Sequence, residues 1–275
     1  MVAWAGGVQL VKYAIIGGTG VYDPKLLSDL KEESVRTPYG FIKVQSGTYK
    51  GERIAFLARH GQEHSIPPHK INYRANIWGL KALGVEFVLA TAAVGSLNPE
   101  MKPGEFVIVD QFLDFTKSRE QTFYDGGENG VVHTDVTNPY CPEVRRTLVK
   151  VGRELGLTIH EQGVYVCTEG PRFETAAEIR AYRMLGGDVV GMTSVPESTL
   201  AREAGICYAA MAMVTNMAAG ISDGPLTHDE VVEIMAQNTE SVRRLALETI
   251  VQAPSDRTCT CNRVASPLKG LNDRA

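Results

Sequence analysis

The chain is expected to fold as a single α/β domain, with a central mixed, largely parallel sheet flanked by helices on both faces. Three observations lead there. Short, almost wholly apolar runs alternate with helical segments of ten or more residues. The helical segments close on glycine, the usual left-handed stop. The 275-residue length and 44% hydrophobic content suit one large α/β domain or two small ones, and neither a repeat nor a long linker divides the chain.

Taken in order, 13–20 is an apolar strand running into a glycine turn, and 53–58 is a second strand that ends at Arg59 and His60. Residues 71–83 have helical spacing and stop at Gly84. A buried strand at 85–94 ends at Gly95 and Ser96, and 105–111 reads as another strand. An amphipathic helix at 142–155 closes at Gly156 and is followed by a strand at 163–167. Helices at 175–185 and 195–204 bracket a strand at 188–192. A strand at 206–215 and a long helix at 228–250 complete the domain. The expected division is an extension at 1–12, a domain at 13–253 and a polar tail at 254–275.

The formal net charge of -4 disfavours a polyanion partner, so neither nucleic acid nor a membrane surface is expected. A small anion needs only a local pocket. No apolar run reaches the roughly 18 residues that span a bilayer, and the start lacks a basic leader. A cytoplasmic protein is the expectation.

In such sheets ligands bind beyond the carboxyl ends of the strands. That rule singles out 17–20, 59–60, 92–96, 168–174, 192–193 and 215–216. The Gly17-Gly18-Thr19-Gly20 turn offers backbone N–H groups and a hydroxyl to an anion. It is equally readable as a plain strand-ending turn. A dinucleotide fingerprint would need glycine where Asp23 stands, and no Gly-Lys-Ser/Thr follows for a Walker loop. Arg59 offers a planar fork to oxyanions and His60 a second donor, although a lone Arg also suits a surface ion pair. His60, His64 and His69 could instead suggest a metal, but Pro67 and Pro68 break any helix that would align them. Phe173 could stack on a purine and Glu174 accept from a ring N–H, or both could sit in an ordinary turn. Met192 and Met213 fit core packing as well as ligand contact. Asn216 can donate and accept, so it could bridge N7 and O6 of a 6-oxopurine, or simply cap a turn. Free thiols are expected for Cys141, Cys167, Cys207, Cys259 and Cys261 in a cytosolic chain. Cys259 and Cys261 are too closely spaced for a usual zinc pair, and no second His or Cys pair in the sequence completes four ligands.

Together these segments resemble the family of trimeric purine nucleoside phosphorylases and methylthioadenosine phosphorylases. The resemblance spans 13–250. It rests on IIGGTGVYDP (15–24), TPYG (37–40), RHG (59–61), HKINYRANIWGLKALGV (69–85), TAAVGSLNP (91–99), DQFLDFTKSREQTFYDG (110–126), CTEGPRFET (167–175), GMTSVPESTLAREAGICYA (191–209) and VTN (214–216). The methylthioadenosine side of the family fits best over 110–126 and 191–197.

The resemblance implies that Thr19, Arg59, His60 and Thr193 hold inorganic phosphate, with the backbone at Ala92 and Ala93. Many relatives carry threonine where this chain has Ala92. Phe173, Glu174 and Asn216 would line the base pocket, with Met192 under the ribose. His133 would be lent to a neighbouring subunit, which implies a homotrimer or a dimer of trimers. Catalysis would rest on Asn216, Glu174 and His60, with phosphate as co-substrate and no other cofactor or metal. Methylthioadenosine enzymes usually carry Asp-x-Asp where this chain has Asn216 and Ala218, so the resemblance favours the 6-oxopurine type acting on inosine and guanosine. His228, just after Thr227, resembles a histidine that bonds the sugar 5′-hydroxyl, although a helix-start surface histidine would look the same. A methylthioinosine or methylthioadenosine phosphorylase is the alternative. Some relatives from hot environments end in Cys-x-Cys and carry disulfides, which would imply a Cys141–Cys207 bridge and a redox-active Cys259/Cys261 pair.

Overall fold

A computed structural model describes residues 11–18, 21, 26–61, 63, 65–221, 228–263 and 268. Its elements in chain order are β1 (Tyr13–Gly17), β2 (Ser28–Thr37), β3 (Gly40–Tyr49), β4 (Glu52–Ala58), α1 (Tyr73–Ala82), β5 (Phe87–Ser96), β6 (Phe106–Ile108), β7 (Gln111–Phe115), α2 (Pro142–Glu154), β8 (Ile159–His160), β9 (Val164–Thr168), α3 (Ala176–Met184), β10 (Val189–Gly191), α4 (Ser194–Glu203), β11 (Cys207–Met217) and α5 (His228–Val251).

All the strands join one mixed sheet of 11 strands. Period-two alternation divides each central strand between two apolar layers. Ala14 and Ile16 of β1 and Tyr208, Ala210, Ala212 and Val214 of β11 pack with α1 and α4. Tyr13 and Ile15, with Cys207, Ala209, Met211 and Met213, pack with α2 and α5 on the opposite face. Continuous apolar strands follow from burial on both faces. The helix ends obey local rules. Thr175 accepts from the Glu178 backbone and Glu178 reaches back, a capping box that starts α3. Gly84 and Gly156, with φ of 88° and 72°, close α1 and α2.

The strand that places the site is β5. One of its edges is paired throughout with parallel β11. On the other edge it pairs with β1 from Phe87 to Ala90 and then with antiparallel β10 at Gly95 and Ser96. Between those partners the edge opens, and Ala93 is exposed in the middle of the sheet's central strand.

Three sequence expectations need correction. The single strand at 105–111 is two, because β6 pairs with β11 and β8 whereas β7 pairs with β9. The chain changes neighbours at Asp110, whose carboxylate accepts from the Gly163 N–H at 2.9 Å. The β2–β3 hairpin was not expected. Seven of the ten β2 residues are exposed, so its sequence lacks an apolar face at its start. Within the stretch read as a polar tail, the described residues 254–263 and 268 include two that are buried, Cys261 and Leu268.

The cysteine readings divide, since the free thiols expected from the sequence are present and the disulfides implied by the resemblance are not. All five cysteines are free thiols, so neither the Cys141–Cys207 bridge nor a Cys259–Cys261 disulfide is formed. The sequence shows no partner pair for Cys259 and Cys261, yet folding supplies one. The sulfurs of Cys141, Cys207, Cys259 and Cys261 all lie within 4.8 Å of one another.

Candidate active site

The opening along β5 leads into a cavity of about 520 Å³, within the usual range for small-molecule sites. Its walls are the tips named from sequence. Arg59 and His60 come from the end of β4, Ala92 and Ala93 from β5, and Phe173 and Glu174 from the turn after β9. Met192 and Thr193 follow β10, and Asn216 and Ala218 come from the end of β11. Gly18 also lines the cavity, while Thr19 lies outside the described residues. The first turns of α5 add Val231, Val232 and Met235, and the side chain of His228 lies outside the described residues. His133 is exposed in the segment before α2 and is not among the lining residues.

One end of the cavity gathers Arg59, His60 and Thr193. Arg59 is buried, and its Nε and Nη2 each donate to Glu197 at 2.8 Å. Its Nη1 donates to the Thr91 carbonyl at 2.9 Å. The expected free fork is therefore partly spent, and an oxyanion would meet the remaining Nη hydrogens. Burial alone would lower the Arg59 pKa, but the Glu197 carboxylate and its hydrogen bonds hold it above the ordinary value. Tyr208 donates its hydroxyl to Glu197 at 2.8 Å, completing a buried pair with little freedom to move. His60 places Nδ1 2.8 Å from the Ile66 carbonyl, which orients the ring. Thr193 is buried at the N-cap of α4, and its backbone N–H donates to the Tyr165 hydroxyl at 3.3 Å.

The other end suits a flat, polar-edged ring. The ladder between β11 and β5 shifts register between Val214 and Asn216, a bulge that re-aims the tip of β11. Asn216 is buried, donates from Nδ2 to the Met217 carbonyl at 2.9 Å and accepts from the Thr215 hydroxyl at 2.8 Å. An amide has two N–H donors and two lone pairs, so one of each stays available to a ligand. Gly95 makes the space, since a Cβ there would lie 3.2 Å from Asn216 Nδ2. Glu174 accepts from the Thr168 hydroxyl at 2.6 Å. Burial raises its pKa, and the Thr168 bond pulls it partly back. Phe173 is 41% exposed at the rim, where a ring could close on a bound base. Met192 lies over Gly170, whose φ is 67°; a Cβ at Gly170 would sit 2.5 Å from the Met192 sulfur.

Two residues that shape the site were not singled out from sequence. Glu197, with no exposed surface, orients Arg59. Arg119 donates to the carbonyls of Thr168, Glu169 and Val195 and to the Tyr73 hydroxyl, so it ties the Glu174 turn to the start of α4. Both fall inside motifs quoted above, and a charged residue within an otherwise buried helix was the available signal for Glu197.

A strand-tip pocket with guanidinium and hydroxyl donors at one end and an amide and a carboxylate at the other has the polar groups of an α/β enzyme's substrate site. The chain belongs to the phosphorylase superfamily, whose family model matches residues 12–251. It is 60% identical to the 6-oxopurine nucleoside phosphorylase of Pyrococcus furiosus, over 94% of this chain and 98% of that protein. It is 49% identical to an S-methyl-5′-thioadenosine phosphorylase of Thermofilum pendens, over 93% and 97% of the two chains. Among solved structures it resembles the methylthioadenosine phosphorylase of Schistosoma mansoni in complex with adenine, with a TM-score of 0.86, 35% identity and coverage of 92% and 95%.

Proposed function

We propose that this chain is a purine nucleoside phosphorylase that cleaves 6-oxopurine nucleosides such as inosine and guanosine, with inorganic phosphate, to free base and ribose 1-phosphate. The observation that carries the substrate class is Asn216. Its spare N–H can donate to an O6 carbonyl, where a carboxylate would repel it. Glu174 would accept from N1–H and Phe173 would cover the ring face.

In the proposed reaction, Thr19, Arg59, His60, Thr193 and the backbone near Ala92 and Ala93 hold phosphate beneath C1′, and Met192 supports the ribose. The C1′–N9 bond breaks and its electron pair leaves with the purine, which gains one proton, balanced by the one that hydrogenphosphate gives up as it becomes the ribose 1-phosphate dianion. Positive charge on the ribose is met by the phosphate, and a phosphate oxygen then bonds C1′. Asn216 and Glu174 accommodate the charge on the leaving base, so positioning and electrostatics supply the acceleration. The chemistry needs no organic cofactor and no metal at the site. A homotrimer in which His133 reaches a neighbouring sugar site accounts for that residue's exposure. Free thiols suit the reducing cytoplasm.

A second reading has its own support. The apolar wall of Val231, Val232 and Met235 would also receive a 5′-methylthio group, which together with Asn216 describes methylthioinosine. Initial rates with inosine, guanosine, methylthioinosine and methylthioadenosine under equal phosphate separate the readings. Faster cleavage of inosine or guanosine supports the proposal, and a preference for either thio-nucleoside overturns it.

A further inference from the structure

We propose that Cys141, Cys207, Cys259 and Cys261 form a structural site for one divalent metal ion of the zinc type, at the opposite end of β11 from the cavity. The four thiols come from three separate parts of the chain: the N-cap of α2, the first residue of β11 and the segment after α5. Their sulfurs all lie within 4.8 Å of one another, and Cys207 and Cys259 approach to 3.4 Å. Tetrahedral coordination at about 2.3 Å per bond sets ligand sulfurs roughly 3.8 Å apart, close to this spacing. A disulfide would instead bring one pair to about 2.05 Å. Cys141, Cys207 and Cys261 are buried and Cys259 partly so, which gives the closed surroundings of a structural rather than a catalytic site.

Metal ligation takes the thiolate form of cysteine, and Cys141 stands at the N-cap of α2, where the helix N-terminus favours negative charge. Binding one divalent ion would release four thiol protons to solvent and leave a core of charge -2. One cation stands two residues before Cys259: Arg257 donates to the Gly205 carbonyl at 3.0 Å. Glu143 opposes it; its carboxylate is held by the Thr258 hydroxyl. The ion would fasten the segment after α5 to the N-terminal end of β11. Asn216 lies nine residues along that strand, on the order of 30 Å away, so the metal would support folding without touching substrate.

The test uses the full chain, reduced, freed of metal and kept anaerobic. Cobalt(II) is titrated as an optical probe, and the metal content of protein purified without chelator is measured separately. The proposal expects thiolate-to-cobalt charge-transfer and tetrahedral d–d bands that saturate at one ion per chain and bleach on adding zinc. It also expects a zinc-dependent rise in Tm. Cys259→Ser and Cys261→Ser should each lose the bands while keeping the wild-type circular dichroism spectrum. The proposal is overturned if reduced wild-type protein binds no more cobalt than those variants. It is equally overturned if anaerobically purified chain holds these four sulfurs as two disulfides and carries no metal.

Discussion

Glu197 grips Arg59 through two hydrogen bonds of 2.8 Å, and neither charged group reaches solvent to any useful extent. The pair fixes the guanidinium at the end of the cavity assigned to phosphate. Removing one partner of a buried pair leaves an uncompensated charge and typically costs about 3–5 kcal/mol. Glu197→Gln keeps the shape and removes the charge. Its Tm should fall and its KM for phosphate should rise about tenfold or more, with a smaller change in the KM for nucleoside. Steady-state kinetics with each substrate varied in turn, beside a thermal melt, check this; an unchanged phosphate KM removes Glu197 from the phosphate site.

Asn216→Asp replaces the amide's N–H with a carboxylate oxygen facing O6. A site that must hydrogen-bond its substrate discriminates strongly when that bond becomes repulsive. Inosine kcat/KM should drop about a hundredfold or more, and adenosine or methylthioadenosine should gain. Parallel assays on both base types read the switch directly.

Glu174 should show itself in the pH profile. Burial raises its carboxyl pKa, and only the ionised form accepts from purine N1–H. Inosine kcat/KM should therefore fall as pH drops through that raised pKa. Because burial disfavours the ionised form, any stability that Glu174 contributes is present at lower pH and is lost as pH rises through the same value. Glu174→Gln should lower kcat/KM about a hundredfold and abolish the Glu174 part of the acid limb. A profile with that limb intact would assign it to another group.

Arg119→Lys tests the bracing of the base pocket. Lysine keeps the charge but cannot reach the carbonyls of Thr168, Glu169 and Val195 together. The expected result is a lower Tm and a several-fold higher KM for nucleoside, with phosphate KM less affected. Equal rises in both constants would indicate general loosening.

Much of this was legible in the sequence because the informative residues sit where an apolar run stops. Arg59, His60, Phe173, Glu174, Thr193 and Asn216 all follow such runs, and β5 opens at Ala93 to receive them. Other features had no local signature. The bulge before Asn216 depends on how β11 meets β5. The first half of β2 lacks the apolar alternation that marks a half-buried strand. Cys141 and Cys207 meet Cys259 and Cys261 only through tertiary packing, so a search for ligand pairs at fixed spacing passes over them.

The central claim is that phosphate, held by the Arg59 end of the cavity, cuts a 6-oxopurine riboside whose base is read by Asn216. The direct measurement is release of hypoxanthine from inosine by purified enzyme, with and without orthophosphate, beside adenosine as substrate. The account predicts release that requires phosphate, yields ribose 1-phosphate mole for mole and exceeds adenosine cleavage by a wide margin. Intact inosine, release that proceeds equally without phosphate, or a preference for adenosine would contradict it.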